Sequence, residues 1–190
     1  MGAISMYPSV LPQVLPPGVQ LRSLLPHKDD RGVFLEAFRE EWSTGCDPVQ
    51  WNVVRSEPDV LRGVHVHSSH TDYLLVISGR MFLGLHDIRP NAPTDGLSAM
   101  LVLDASTPTA VTVPPGVCHG FYFPEPSIHM YAVSHYWDET DELGCRFDES
   151  ELGLNWPNRE PKLSRRDGLA SSYGEMRDQF LKRYTQNTKR

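Results

Sequence analysis

The stretch Tyr73-Leu-Leu-Val-Ile-Ser78, Gly79, Arg80-Met-Phe-Leu-Gly-Leu-His86 decides the reading of this chain. Two short runs rich in β-branched, aromatic and other apolar residues flank one glycine. Such runs are too short for a packed helix and favour strands. A glycine between them predicts a hairpin turn. The same rhythm recurs outward in both directions, at 19–24, 32–38, 49–55, 99–103, 110–113, 119–123 and 129–134. Gly and Pro punctuate these runs, and the 14 Gly and 16 Pro are spread along the chain rather than pooled in a linker. Many short strands with regular turns predict an all-β jelly roll, two antiparallel sheets with a hollow between them. Helical periodicity is confined to a brief turn within 36–42 and to 175–184. There Met176, Phe180 and Tyr184 recur every fourth residue and form one apolar stripe. The expected organisation is an extended Pro-rich arm at 1–18, acting as an edge or exchanged strand, a single domain at 19–174, and a C-terminal helix with a polar tail at 175–190.

Composition excludes several functions. The chain has 190 residues, with Lys+Arg 18 against Asp+Glu 24 and a net charge of −6. No basic stripe suits nucleic acid. No apolar run approaches the roughly 20 residues of a membrane helix, and no basic-then-apolar leader is seen. Three cysteines (Cys46, Cys118, Cys145) without a C-x-x-C pair read as reduced thiols of a cytoplasmic protein. The acidic run 138–142 reads as a solvated loop.

Histidines carry the chemical signal. His65 and His67 are two apart, so a regular strand turns both to one face. His70 and Asp72 follow, and His119 comes directly after the Pro114-Pro115-Gly116 turn. A lone histidine is more often a core or surface residue, but this spacing suits either a general base held by a carboxylate or a metal site. Arg31 and Arg62, each beside a glycine, have the fork geometry that recognises phosphate.

Ordered motifs extend the argument. Asp30-Arg31-Gly32-Val33-Phe34-Leu35-Glu36-Ala37-Phe38, Gln50-Trp51-Asn52 and Val60-Leu61-Arg62-Gly63-Val64-His65 come first. Asp87-Ile88-Arg89, Val113-Pro114-Pro115-Gly116-Val117-Cys118-His119-Gly120-Phe121, Phe147-Asp148-Glu149, Asn155-Trp156-Pro157 and Leu163-Ser164-Arg165-Arg166-Asp167 follow. This series, over about residues 14–170, resembles the dTDP-4-dehydrorhamnose 3,5-epimerase family, sugar-nucleotide epimerases on the cupin jelly roll. The resemblance implies a homodimer that needs no cofactor. It implies inversion at C3 and/or C5 of a nucleoside-diphosphate 4-keto-6-deoxyhexose by proton abstraction next to the ketone. On it, His65 is the base and Asp167 its orienting partner. Arg31, Glu36, Gln50, Asn52, Arg62 and His119 line the nucleotide-sugar site. Two positions depart from the family pattern. Asp72 stands where the family has a lysine facing the enolate, and Trp137 stands where it has the tyrosine acid. Both positions would still face the sugar. Tyr131 remains as the ligand-facing phenol, and Tyr136 would point to the opposite face of a regular strand.

Two alternatives follow from the same residues. His65-x-His67, Asp72, Gly79 and Pro114-x-Gly116-x-x-His119 resemble the two metal motifs of the wider cupin superfamily. His65, His67, Asp72 and His119 would then hold a divalent metal. A non-catalytic sugar-nucleotide binder is the third class.

Overall fold

The structure, a computed structural model, describes residues 14–138 and 141–187. The expected arm lies mostly outside these residues, and its described end, 14–18, makes a turn rather than a strand. Two five-stranded sheets follow. One has β1 (Gln20–Ser23), β9 (Thr109–Val113), β6 (Asp72–Ser78), β11 (Ser127–Val133) and β4 (Gln50–Ser56), in that order. The other has β12 (Leu143–Gly144), β5 (Val60–Val66), β10 (Val117–Phe123), β7 (Arg80–Asp87) and β8 (Ser98–Asp104). A hairpin of β2 (Pro26–Asp29) and β3 (Gly32–Leu35) stands apart. Neighbouring strands in both sheets pair antiparallel, as in the predicted jelly roll.

The expected hairpin at Gly79 is corrected. β6 pairs with β9 and β11, whereas β7 pairs with β8 and β10. The chain therefore crosses from one sheet to the other at Gly79. Its φ of +78° is open to glycine, and a Cβ there would come within 2.6 Å of the Pro126 carbonyl oxygen. A corner and a hairpin have the same local signature. Only partner choice tells them apart.

The uniformly apolar β6 has a simple cause. Leu74 and Val76 face the inter-sheet core with Leu83, Leu85, Leu101 and Phe123. Tyr73 and Leu75 face the opposite way and are covered by Leu35, Phe38 and Trp42. Both faces are buried, so alternation vanishes. The expected turn of helix within 36–42 is a 3-10 turn at Glu40–Trp42.

The C-terminal helix α2 runs Tyr173–Asn187, starting earlier and ending later than the apolar stripe suggested. Ser172 and Glu175 form a reciprocal capping box at its start. Met176 and Phe180 pack against Val64, Val66 and Cys118, closing the outer face of the second sheet. Burying such a phenylalanine contributes about 2–3 kcal/mol. A second helix, α1 (Arg165–Gly168), precedes it and carries Asp167. The three cysteines are buried free thiols. No described helix is long and apolar enough to cross a membrane.

Candidate active site

A cavity of about 240 Å³ opens between the sheets, walled by β4, β6 and β11 on one side and β5 and β10 on the other. Strand β5 brings two of its groups to that cavity through an irregularity. Opposite it, β10 advances two residues from His119 to Phe121 while β5 goes back three, from His65 to Arg62. The extra residue is a β-bulge at Gly63–Val64. Strict alternation would turn Arg62 and His65 to opposite faces, but the bulge lets both line the cavity. Gly63 has φ +111°, and a Cβ on it would sit 2.9 Å from both Gly120 Cα and the His119 carbonyl oxygen.

His65 Nε2 lies 2.8 Å from Asp167 Oδ1. The two are 102 positions apart. The Ser164 hydroxyl caps α1 by accepting from the Asp167 N–H, which sets the carboxylate at the helix start. Burial opposes ionisation of Asp167, but hydrogen bonds from His65 and Ser164 hold its carboxyl below the ordinary aspartate value. An ionised carboxylate only accepts. Nε2 therefore carries the proton, and Nδ1 is the basic nitrogen.

Next to this pair is a buried cluster of His67, His70, Asp72 and His119. The His67 carbonyl accepts from the Gly116 N–H, which ties the end of β5 to the turn that starts β10. Burial drives His67 well below the ordinary imidazole value and His119 down to about 3. Burial also opposes charge on His70, but its Asp141 hydrogen bond and nearby carboxylates raise it overall. Burial lifts Asp72 to about 7, against the pull of His70.

The predicted site residues divide into three groups. His65, Asp167, Arg62, Asp72, His119, Tyr131 and Trp137 line one cavity. Gln50 and Asn52 sit beside it. Gln50 Nε2 donates to Asn52 Oδ1, and Gln50 Oε1 accepts from the Trp137 backbone N–H. Arg31 and Glu36 are not part of the cavity wall in this chain. Arg31 is 86% exposed and pairs with Asp29, while Glu36 pairs with Arg39. The alternative metal set is also divided, because Asp167 engages His65 and leaves His67, Asp72 and His119 together. Tyr136 lies past the end of β11 and is 75% exposed, so strand alternation does not govern it.

Several cavity residues were not predicted. The acidic run is no solvated loop throughout. Asp141 accepts from Ser68, and Glu142, with a side chain only 10% exposed, pairs with Arg166 at 2.8 Å. Nothing in a run of acids marks which member folds back. Arg166 and Ser164 had a signal, since both border Asp167 in a quoted motif. His129 is stacked on Phe123 and Tyr131, and burial lowers it to about 4.

Residues 16–175 match the family description dTDP-4-dehydrorhamnose 3,5-epimerase. The chain belongs to this family. The dTDP-4-dehydrorhamnose 3,5-epimerase of Mycobacterium tuberculosis (strain H37Rv) is 32% identical over 164 residues, 80% of this chain and 81% of that protein. Among solved structures, NovW is described as a 4-keto-6-deoxy sugar epimerase from the novobiocin biosynthetic gene cluster of Streptomyces spheroides. It superposes with a TM-score of 0.81 at 29% identity, over 89% of each chain. The epimerase of Legionella pneumophila, solved with dTDP-4-keto-L-rhamnose, gives 0.76 at 26% identity, over 84% of this chain and 92% of that one. Family membership agrees with the two-sheet fold and with a cavity between the sheets.

Proposed function

We propose that this chain is an isomerase that inverts C3 and/or C5 of a nucleoside-diphosphate 4-keto-6-deoxyhexose. The observation that carries this reading is the His65–Asp167 pair at 2.8 Å on the wall of the inter-sheet cavity. A ketone acidifies the adjacent C–H. His65 Nδ1 takes that proton while Nε2–H stays on Asp167, whose charge stabilises the imidazolium that forms. The electron pair moves onto the ketone oxygen as an enolate. A proton then returns to the opposite face of the same carbon. Tyr131 is the donor in this reading. Burial, with Asp72 and Glu142 nearby, raises its phenol above the ordinary tyrosine value, so it is protonated at neutral pH. Trp137 cannot serve as the acid, because its indole N–H does not ionise usefully. The ketone itself is the electron sink, and the reaction as written uses no added cofactor.

Arg62 supplies positive charge to the diphosphate, and its guanidinium is steadied by the Ser56 hydroxyl and the Arg55 carbonyl. Arg31 reaches the site only in a homodimer. Supporting this, its hairpin exposes Val33 and Phe34 at 63% and 64%, and β4, the edge strand of its sheet, exposes Val53. Such a pair of apolar surfaces suits a second copy. Residues 19–174 form the catalytic unit in this reading.

The test is solvent-deuterium incorporation into dTDP-4-keto-6-deoxyglucose, followed by NMR. Incorporation at C3 or C5 that disappears in His65→Ala is expected. No incorporation by the wild-type chain, with dTDP binding retained, would leave a sugar-nucleotide binder without catalysis.

A further inference from the structure

Three imidazoles in this chain aim the same nitrogen at one carboxylate oxygen. His67 Nε2 and His119 Nε2 each lie 3.7 Å from Asp72 Oδ2, and His70 Nε2 lies 3.9 Å from it. All three distances are too long for hydrogen bonds. Asp72 Oδ2 is buried and has no hydrogen-bond partner among the described residues. Such an orphan is costly, because the oxygen has lost water and gained nothing. An arrangement built to share protons would draw one pair together, as His65 and Asp167 are drawn to 2.8 Å.

The far side of each ring points the same way. His119 Nδ1 donates to the Val117 carbonyl oxygen at 3.2 Å. His70 Nδ1 faces Asp141 Oδ2 at 3.3 Å, whereas His67 Nδ1 is 3.7 Å from Glu142 Oε1 and has no hydrogen-bond partner among the described residues. A carbonyl only accepts, so His119 Nδ1 carries the ring proton and Nε2 presents a lone pair. That lone pair looks at a carboxyl oxygen 3.7 Å away, too far for the two to share a proton, and a cation between them would satisfy both. Outward Nδ1–H bonded to oxygen, with inward Nε2 free, is how metal-binding histidines are oriented, and His119 and His70 show it. His86 shows the contrast. It is equally buried, but its two nitrogens are bonded to Ser98 and Tyr173.

We propose that His67 Nε2, Asp72 Oδ2 and His119 Nε2 bind a divalent transition-metal ion in the cavity wall, with His70 Nε2 in reach as a fourth donor. The donor atoms of the three residues lie within 4.8 Å of one another. A tetrahedral ion with bonds of about 2.0–2.1 Å sets its donors roughly 3.4 Å apart, so the 3.7 Å separations to Asp72 close by a few tenths of an ångström. Two imidazoles and a carboxylate suit Zn²⁺, Mn²⁺ or Fe²⁺. His65 stays outside the set, because Asp167 holds its Nε2. Such an ion supplies positive charge to a ketone oxygen in the same cavity. That role rests on the epimerase reading, whereas binding of the ion does not.

The experiment is titration of chelator-treated, full-length protein with Zn²⁺, Mn²⁺ and anaerobic Fe²⁺ by calorimetry, with thermal unfolding and circular dichroism alongside. Elemental analysis of protein purified without a metal-affinity step accompanies it. We expect about one ion per chain and a higher melting temperature on addition of at least one of the three. Asp72→Asn, nearly isosteric, and His119→Ala each weaken binding by tenfold or more. His65→Ala leaves metal affinity unchanged and abolishes deuterium exchange. Folded protein that takes up no ion, or whose affinity survives both ligand substitutions, overturns the proposal. Affinity lost in His65→Ala overturns the ligand set. Exchange without metal binding removes this inference and leaves the epimerase reading standing, and metal binding without exchange does the reverse.

Discussion

Replacing Asp167 by Asn removes a charge and little volume. The amide oxygen can still accept the His65 Nε2–H, so ring orientation and tautomer are preserved. What is lost is the attraction between a carboxylate and the imidazolium that forms as His65 takes the substrate proton. With Nε2 and Oδ1 2.8 Å apart, the charge centres are about 4 Å apart. At an effective dielectric of about 20 that attraction is ~4 kcal/mol. The transition state has developed about half of the charge, so ~2 kcal/mol is lost there at least. Each 1.36 kcal/mol is roughly tenfold in rate. Deuterium incorporation should fall by between about 30-fold and several hundred-fold. His65→Ala, which removes the base itself, should fall to background. Affinity for dTDP should be unchanged in Asp167→Asn, because the carboxylate faces the imidazole rather than the nucleotide. Exchange within about threefold of wild type would show that Asp167 does not stabilise the imidazolium and would undo the assignment of the pair.

Two further predictions concern the scaffold. Gly63→Ala places a Cβ at a φ of +111° and 2.9 Å from backbone atoms of β10. It should cost about 2–4 kcal/mol in urea denaturation, and a loss under about 1 kcal/mol would mean the bulge relaxes freely. Asp87 is fully buried and bonded to Arg89 and Thr94. Burial opposes its ionisation, but these bonds hold its carboxyl below the ordinary 3.8. Its contribution is therefore complete above about pH 4 and lost as pH falls through the lower folded-state value. Asp87→Asn should lower stability by about 3–5 kcal/mol at neutral pH and flatten that acid limb, measured as denaturant midpoint against pH. An unchanged limb would exclude Asp87 as its source.

Short alternating runs between Gly and Pro were enough to call for strands, because side-chain direction in a strand depends only on parity along the chain. The Met176–Phe180–Tyr184 stripe marked α2 for the same kind of reason, one face of one helix. The Gly79 corner was read as a hairpin because the bend is local and the choice of sheet is not. Arg62 and His65 share a cavity through a bulge whose extra residue is visible only against β10. Glu142 and Asp141 looked like ordinary surface acids until the fold placed histidines and Arg166 beside them.

The sequence alone determined an all-β chain with a C-terminal helix and a close run of titratable groups at His65, His67, His70 and Asp72, since periodicity and residue chemistry are properties of neighbours. The tertiary structure decided that Asp167 meets His65 across 102 positions and that three Nε2 atoms converge on a single oxygen of Asp72. The first distance exists only once α1 docks beside β5, and the approach of His119 to Asp72 only once the two sheets face each other, because β10 and β6 lie in different sheets and never pair.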